Sequence, residues 1–237
     1  MGLQIIMGKS GSGKTAHMLR EMIDNSKGLP DVTGRLLYIV PEQFTMETQK
    51  NIVKYSNGAG SMAIDVLSFD RLAKRVFEEQ GYNPLTILDD TGKCLILRKI
   101  IEDNKNRLGI FAKKAGYPGF IDEMKSVISE FYQYGIKAKN LQDIINDEKI
   151  SKLLKEKLKD IHVILTEFDA FIKDKYVVNE ELLHKLITLI PDSEFIKNSQ
   201  VYLDEYTGFT PIQYDVLRQL LKYSKNVTFA ATIRDAR

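Results

Sequence analysis

The most constraining feature of this sequence is the run G-K-S-G-S-G-K-T at residues 8–15. It matches the pattern G-x-x-x-x-G-K-[ST] of phosphate-binding loops at every fixed position. An apolar run at residues 3–7 precedes it and predicts a buried strand, and a helical pattern begins at Lys14. This strand–loop–helix context is the one that the motif requires, so a chance glycine-rich turn is the weaker interpretation. The sequence therefore predicts an α/β fold with a nucleoside triphosphate site.

Each residue type in this loop has a chemical reason. Glycines let backbone N–H groups approach phosphate oxygens without a side-chain clash, and the helix that follows adds positive charge at its amino end. The Lys14 ammonium can reach the β- and γ-phosphates, and the Thr15 hydroxyl can bind Mg²⁺. We therefore expect ATP and Mg²⁺ as cofactors, with Thr15 as a metal ligand. The predicted nucleotide-binding residues are Gly8, Lys9, Ser10, Gly11, Ser12, Gly13, Lys14 and Thr15.

A second motif, V-Y-L-D-E-Y, occupies residues 201–206. A strand that ends in Asp-Glu is what a phosphate-binding loop needs opposite it. Asp204 would then hold Mg²⁺ through water, and Glu205 would orient or activate the attacking water as the candidate catalytic base. The alternative is an ordinary acidic pair at the end of a surface strand. The loop upstream favours the functional interpretation.

Two further segments, V-P-E-Q-F-T at residues 40–45 and V-L-S-F-D-R-L-A at residues 66–73, each follow a predicted strand. Polar and aromatic groups at the carboxyl edge of a sheet can contact single-stranded DNA by hydrogen bonding and stacking. The candidates are Gln43, Phe44, Thr45 and Ser68. The structural alternative is that Phe44 lies in the core and that Ser68 caps a helix.

Strand and helix patterns alternate along residues 1–88 and again along residues 195–237, whereas apolar residues between them step by three and four. Alternation predicts a parallel sheet with helices on both faces. With the loop after the first strand, this pattern indicates a P-loop NTPase domain. We expect that domain to comprise residues 1–88 and 195–237, and residues 89–194 to form an all-helical insertion.

Composition excludes several classes of site. The chain has 237 residues and a net charge of +2, so DNA binding would need a local patch rather than a basic field over the whole protein. Cys94 is the only cysteine, which excludes an intramolecular disulfide, a cysteine-rich zinc site and a cysteine-ligated iron–sulfur cluster within this sequence. No apolar run reaches about 18 residues, so we expect no signal peptide, no membrane partner and a cytoplasmic location.

The four motifs, in this order, resemble the first half of a superfamily 1 DNA helicase. More closely, they resemble the AddB subunits of bacterial AddAB (RexAB) helicase–nucleases. The resemblance rests on the phosphate-binding loop, Y-I-V-P-E-Q-F-T at residues 38–45, V-L-S-F-D-R-L-A at residues 66–73 and L-D-E-Y-T-G-F-T-P-I-Q at residues 203–213. The P-E-Q-F-T and G-F-T-P-x-Q pieces are more specific than the loop, which many families share.

The resemblance implies a subunit that acts with an AddA-type helicase/nuclease partner on DNA break ends to prepare recombination. In this family the helicase-like part is associated with recognition of the Chi sequence on single-stranded DNA, and an iron–sulfur nuclease domain follows later in the protein. Neither a second motor half nor that nuclease domain is recognisable before Arg237. We therefore expect an N-terminal fragment without a cluster, which binds ATP weakly and hydrolyses little of it.

Two alternatives from other classes remain open at this stage. A P-loop small-molecule kinase could use the helical middle as a substrate lid, and phosphate transfer to nucleosides or sugars without DNA would identify it. A non-catalytic scaffold could bind nucleotide only to stabilise its fold. Replacing Lys14 would then lower the melting temperature in ATP without altering any activity.

Overall fold

A computed structural model describes residues 2–26, 35–57, 62–83, 86–117 and 119–233. The chain divides into two compact units, which we call the sheet unit and the helical unit. The sheet unit comprises Met1–Asn83 and Leu183–Arg237, and the helical unit comprises Pro84–Leu182. From the sequence we expect these divisions after residues 88 and 194.

The described strands are β1 (Gly2–Gly8), β2 (Arg35–Ile39), β3 (Ile64–Leu67), β4 (Thr86–Leu88), β5 (Tyr176–Val178), β6 (Ser199–Leu203) and β7 (Asn226–Thr232). The described α-helices are α1 (Lys14–Ser26), α2 (Thr45–Tyr55), α3 (Phe69–Glu79), α4 (Asp90–Asp103), α5 (Phe120–Gln133), α6 (Ala138–Ile145), α7 (Lys152–Ile172), α8 (Asn179–Leu189), α9 (Glu194–Lys197) and α10 (Pro211–Tyr223). In this part of the chain no helix combines the length and the apolar character needed to cross a membrane.

The sheet unit is built on a five-stranded parallel sheet in the order β1-β7-β6-β2-β3. Helices cover both faces, so the predicted α/β class with a parallel sheet is confirmed. Ile39 pairs with both Leu67 and Leu203, which means that β2, β3 and β6 end at the same edge. The loops that follow these strands therefore meet at the carboxyl edge of the sheet, where parallel sheets commonly bind ligands.

The core of the sheet unit follows from the apolar pattern of its elements. β2 lies inside the sheet and its side chains from Leu36 onward are buried, as a continuous apolar run predicts for a strand covered on both faces. On α1, the buried residues Met18, Leu19, Met22 and Ile23 recur at the spacing of one helical face. They share one cluster with Tyr38 and Tyr202, which joins α1 to the middle of the sheet.

β1 differs from the prediction of a buried strand. It lies at one edge of the five-stranded sheet, and Leu3, Ile5 and Met7 are 56%, 49% and 66% exposed. These alternate residues share one face of the strand. A short apolar run does not distinguish a central strand from an edge strand, because the neighbours that would cover it come from distant parts of the chain.

The helical unit has a core of its own, formed mainly by α4, α5 and α7, with Leu97, Ile164 and Phe168 fully buried. It also contains β4 and β5, which pair in parallel. The predicted all-helical insertion, residues 89–194, contains one of these strands, β5, whereas β4 precedes it. Segments of three residues are too short to display the alternation that identifies a strand.

Candidate functional site

The loop at residues 8–15 connects the carboxyl end of β1 to the first turn of α1. Gly11 and Gly13 have φ angles of 73° and 87°, a region that favours glycine. A Cβ atom at Gly8 would overlap the Ser12 hydroxyl oxygen, so a side chain there would displace that hydroxyl. The glycines of the motif therefore have separate geometric reasons, and the loop ends at a helix N-terminus whose free N–H groups suit an anion.

Lys14 lies across this loop. Its ammonium Nζ donates hydrogen bonds to the carbonyl oxygens of Gly8 and Lys9, at 3.1 Å and 2.9 Å. The positive charge is thus held beside the loop's backbone. Thr15, the next residue, points its hydroxyl toward the end of β6.

Asp204 and Glu205 follow β6 directly, at the edge where the loop after β1 also lies. The Thr15 hydroxyl donates to Glu205 Oε1 at 3.4 Å, so two motifs separated by 190 residues in sequence meet. Asp204 is only 4% exposed, and its amide N–H extends the sheet by donating to the carbonyl of Ile39. The pair therefore divides into a buried carboxylate and an accessible one.

Glu205 has two features that set it apart from an ordinary surface carboxylate. Its φ angle is 63°, an uncommon conformation for a residue with a side chain. Partial burial, together with the charge of Asp204, raises the pKa of Glu205. A carboxylate with a raised pKa is a better proton acceptor than a free one, which is a property that a general base needs.

An open cavity of about 1230 Å³ brings these groups together. Its wall includes residues 10–16 of the loop and helix α1, together with Asp204 and Glu205. In the described residues no cluster of three or more His, Cys, Asp or Glu side chains is arranged to hold a metal ion. A divalent ion here would instead need ligands from a hydroxyl, water and a bound phosphate, which is how Mg²⁺ usually binds beside nucleotides.

The four residues predicted to contact DNA all lie at the carboxyl edge, in the segments that follow β2 and β3, and an ion pair joins these two segments. Arg71 donates to Glu42 Oε1 at 2.8 Å through Nη2. The Ser68 hydroxyl and the Arg71 guanidinium lower the pKa of Glu42. Gln43 is exposed, whereas Phe44 is partly buried against the core.

Thr45 and Ser68 are buried. The Thr45 hydroxyl donates to the carbonyl of Glu42 at 2.9 Å, and the Ser68 hydroxyl caps α3 by accepting from the N–H of Arg71. Their hydroxyls therefore stabilise the backbone of these two segments through hydrogen bonds within each segment.

Sequence reasoning missed an aromatic cluster beside the carboxylates. Phe69, Tyr206, Phe209, Tyr214 and Phe229 form a chain of ring contacts with centroid separations from 4.8 to 6.3 Å. The G-F-T-P-I-Q segment was the available signal for Phe209. Its Thr210 and Gln213 form a reciprocal capping box at the start of α10, which fixes where the loop after Glu205 ends.

The comparisons with known proteins agree on one family. A family model described as "ADDB, N-terminal" matches residues 5–237. A protein of Lachnoclostridium phytofermentans, named as a subunit of an ATP-dependent helicase/deoxyribonuclease, is 42% identical over 100% of this chain. Proteins with the same name from Clostridium kluyveri and Bacillus cereus are 35% and 33% identical, over 96% and 98% of this chain. In each case the chain spans 20% of the length of the curated relative.

Proposed function

This chain belongs to the AddB N-terminal family, as its motifs indicated, and from this premise we propose that its sheet unit is a RecA-like P-loop domain that binds ATP with Mg²⁺. The observation that carries the proposal is the meeting of Thr15 with Glu205 at 3.4 Å across 190 residues of sequence. A chance glycine-rich turn has no reason to lie opposite a strand that ends in Asp-Glu. The names of the relatives, which include the words ATP-dependent, support the same nucleotide.

Each residue of the candidate site has a separate role in binding or hydrolysing the nucleotide. The N–H groups of residues 8–13 and the Lys14 ammonium bind the phosphates, and the Lys14 contacts with Gly8 and Lys9 are exchanged for phosphate oxygens. The Thr15 hydroxyl oxygen would bind the ion directly, Asp204 would hold it through a water, and the ion would supply charge neutralisation at the γ-phosphate. Glu205, accessible and with a raised pKa, accepts a proton from the attacking water.

For the whole protein we propose an AddB-type component of an ATP-dependent helicase/deoxyribonuclease that acts in double-strand break repair and recombination. Its partner would be an AddA-type subunit. The sheet unit would contact single-stranded DNA through Gln43, which is exposed at the carboxyl edge, with Phe44, Thr45 and Ser68 shaping the same surface. The helical unit would be an insertion in the RecA-like domain between α3 and α9.

Replacement of Lys14 tests the nucleotide site. We expect Lys14→Ala to weaken binding of a fluorescent ATP analogue at least tenfold, because the site loses its charge-assisted hydrogen bonds to phosphate. The matched control is Lys139→Ala, which removes the same charge from an exposed position in α6 of the helical unit. Circular dichroism would verify that both variants fold. Equal affinity of the wild type and the Lys14 variant would contradict the proposal.

The DNA surface needs a separate measurement. We expect a labelled single-stranded oligonucleotide to bind the 237-residue chain with an affinity that falls as salt rises, because phosphate contacts release counterions. Gln43→Ala should weaken this binding by several-fold, whereas Gln49→Ala, an exposed change farther along α2, should not. A flat dependence on salt would reject phosphate contacts, and equal effects of the two variants would reject the assignment of Gln43.

A further inference from the structure

Tyr38 is a buried tyrosine whose hydroxyl donates a hydrogen bond to the carboxylate of Asp204. It lies in β2 within the apolar run L-L-Y-I-V at residues 36–40, and its side chain is 0% exposed. Its Oη donates a hydrogen bond to Asp204 Oδ2 at 2.9 Å, across 166 residues of sequence. A buried hydroxyl without a partner is costly, and phenylalanine would fill nearly the same space. The hydroxyl therefore matters for the group that it contacts.

The Asp204 carboxylate is held from both of its oxygens. Tyr38 donates to Oδ2, and the backbone N–H of Glu205 donates to Oδ1 at 2.8 Å. Rotating the carboxylate plane would break both hydrogen bonds at once. Each oxygen still has a second lone pair, so a water can be bound without displacing either donor.

Protonation of Tyr38 is secure under ordinary conditions. Burial, followed by the negative charge of Asp204, raises the pKa of the Tyr38 hydroxyl above its usual value. The raised pKa favours the protonated hydroxyl, which is the form that donates the hydrogen bond to Asp204 Oδ2.

We propose that Tyr38 is a positioning residue for the Mg²⁺ site, because it fixes the orientation in which Asp204 presents its carboxylate to the ion's water shell. The inference rests on the proposed function of the loop at residues 8–15. It adds a residue from β2 that touches neither nucleotide nor ion. Outer-shell hydrogen bonds of this kind orient the groups that meet a metal, and their loss commonly lowers metal affinity by about 10- to 100-fold.

The matched control is supplied by the sheet itself. Tyr202 of β6 is the direct cross-strand neighbour of Tyr38 and is also buried, at 1% exposed. Its hydroxyl accepts a hydrogen bond from Asn25 Nδ2 at 3.3 Å instead of contacting Asp204. Tyr202→Phe therefore removes an equivalent buried hydroxyl from the same sheet without changing the carboxylate.

The experiment uses the 237-residue chain as wild type, Tyr38→Phe and Tyr202→Phe, with binding of a slowly hydrolysed ATP analogue measured by calorimetry. Affinity is measured in EDTA and across a Mg²⁺ titration. We expect all three proteins to bind alike in EDTA, and the Mg²⁺ midpoint of Tyr38→Phe to rise about tenfold while that of Tyr202→Phe stays at the wild-type value.

Four outcomes would overturn the inference. An unchanged midpoint in Tyr38→Phe means that the hydroxyl does not position Asp204. A midpoint shift in Tyr202→Phe as large as that in Tyr38→Phe points to a general packing defect. So does a loss of affinity in Tyr38→Phe that is as large in EDTA as in Mg²⁺. If the wild type itself shows no Mg²⁺-dependent binding, the proposed function fails together with the inference, so the two failures are distinguishable.

Discussion

At the scale of single residues, the helical unit contains a buried ion pair that links parts of the chain distant in sequence. The Lys93 ammonium of α4 donates to both carboxylate oxygens of Glu180 at 2.9 and 3.0 Å, and also to the Ser129 hydroxyl of α5 at 3.0 Å. The two charged side chains are 3% and 10% exposed. Charges so far from water are tolerated only because they are paired, so removing one leaves the other without compensation.

This pair predicts a strongly non-additive response to mutation. Glu180→Leu should lower the free energy of unfolding by about 3–5 kcal/mol, because it leaves the buried Lys93 ammonium without its counter-charge. The double variant Lys93→Met/Glu180→Leu should recover most of that loss, since an apolar pair of similar volume needs no desolvation. Urea denaturation measures all three proteins on one scale.

A surface ion pair provides the reference for that experiment. Lys99 and Asp103 lie one turn apart on α4 with side chains 63% and 59% exposed. Lys99→Ala should change the free energy of unfolding by less than about 1 kcal/mol, because solvent screens exposed pairs. A Glu180 variant as stable as this reference would show that the buried pair has no special weight.

At the scale of elements, local signals predicted most of what local interactions determine. The sequence has apolar runs at β2 and β6, and α3 and α10 begin directly after Ser68 and Thr210, whose side chains cap them. The segment after β2 begins as a short 3-10 turn, Glu42–Phe44, before α2. A boundary of this kind depends on a few hydrogen bonds and is not encoded in apolar spacing.

Local sequence signals also identify some residues of the candidate site, whereas contacts between distant segments determine the others. Lys14, Thr15, Asp204 and Glu205 are recognisable because their spacing to a strand or a glycine loop is short. Tyr38 is not, since it sits inside an ordinary apolar strand and its hydrogen bond to Asp204 crosses 166 residues. The exposure of one face of β1 was not predicted for the same reason, because the burial of a strand depends on its place in the strand order. Pairing of distant segments is set by the whole fold.

At the scale of the molecule, the helical unit has a core of its own. Its buried apolar side chains form one cluster, which includes Leu97, Ile164 and Phe168. Hydrogen bonds inside the helical unit also close its long connections. The Asp160 carboxylate on α7 accepts from the N–H groups of Gly109 and Phe111, both at 2.8 Å. The segment before α5 is thereby tied to the core through contacts that belong to one unit.

We therefore expect residues 84–182 to fold when expressed alone. A segment of roughly 100 residues with its own core is large enough for a cooperative transition. Thermal unfolding followed by circular dichroism should show a helical spectrum and one sharp transition. Phe168→Ala should lower stability by about 3–5 kcal/mol, because it empties a fully buried aromatic site, and exposed Lys139→Ala should change it by less than about 0.5 kcal/mol. A broad transition that is insensitive to Phe168→Ala would mean that this core forms only within the complete chain.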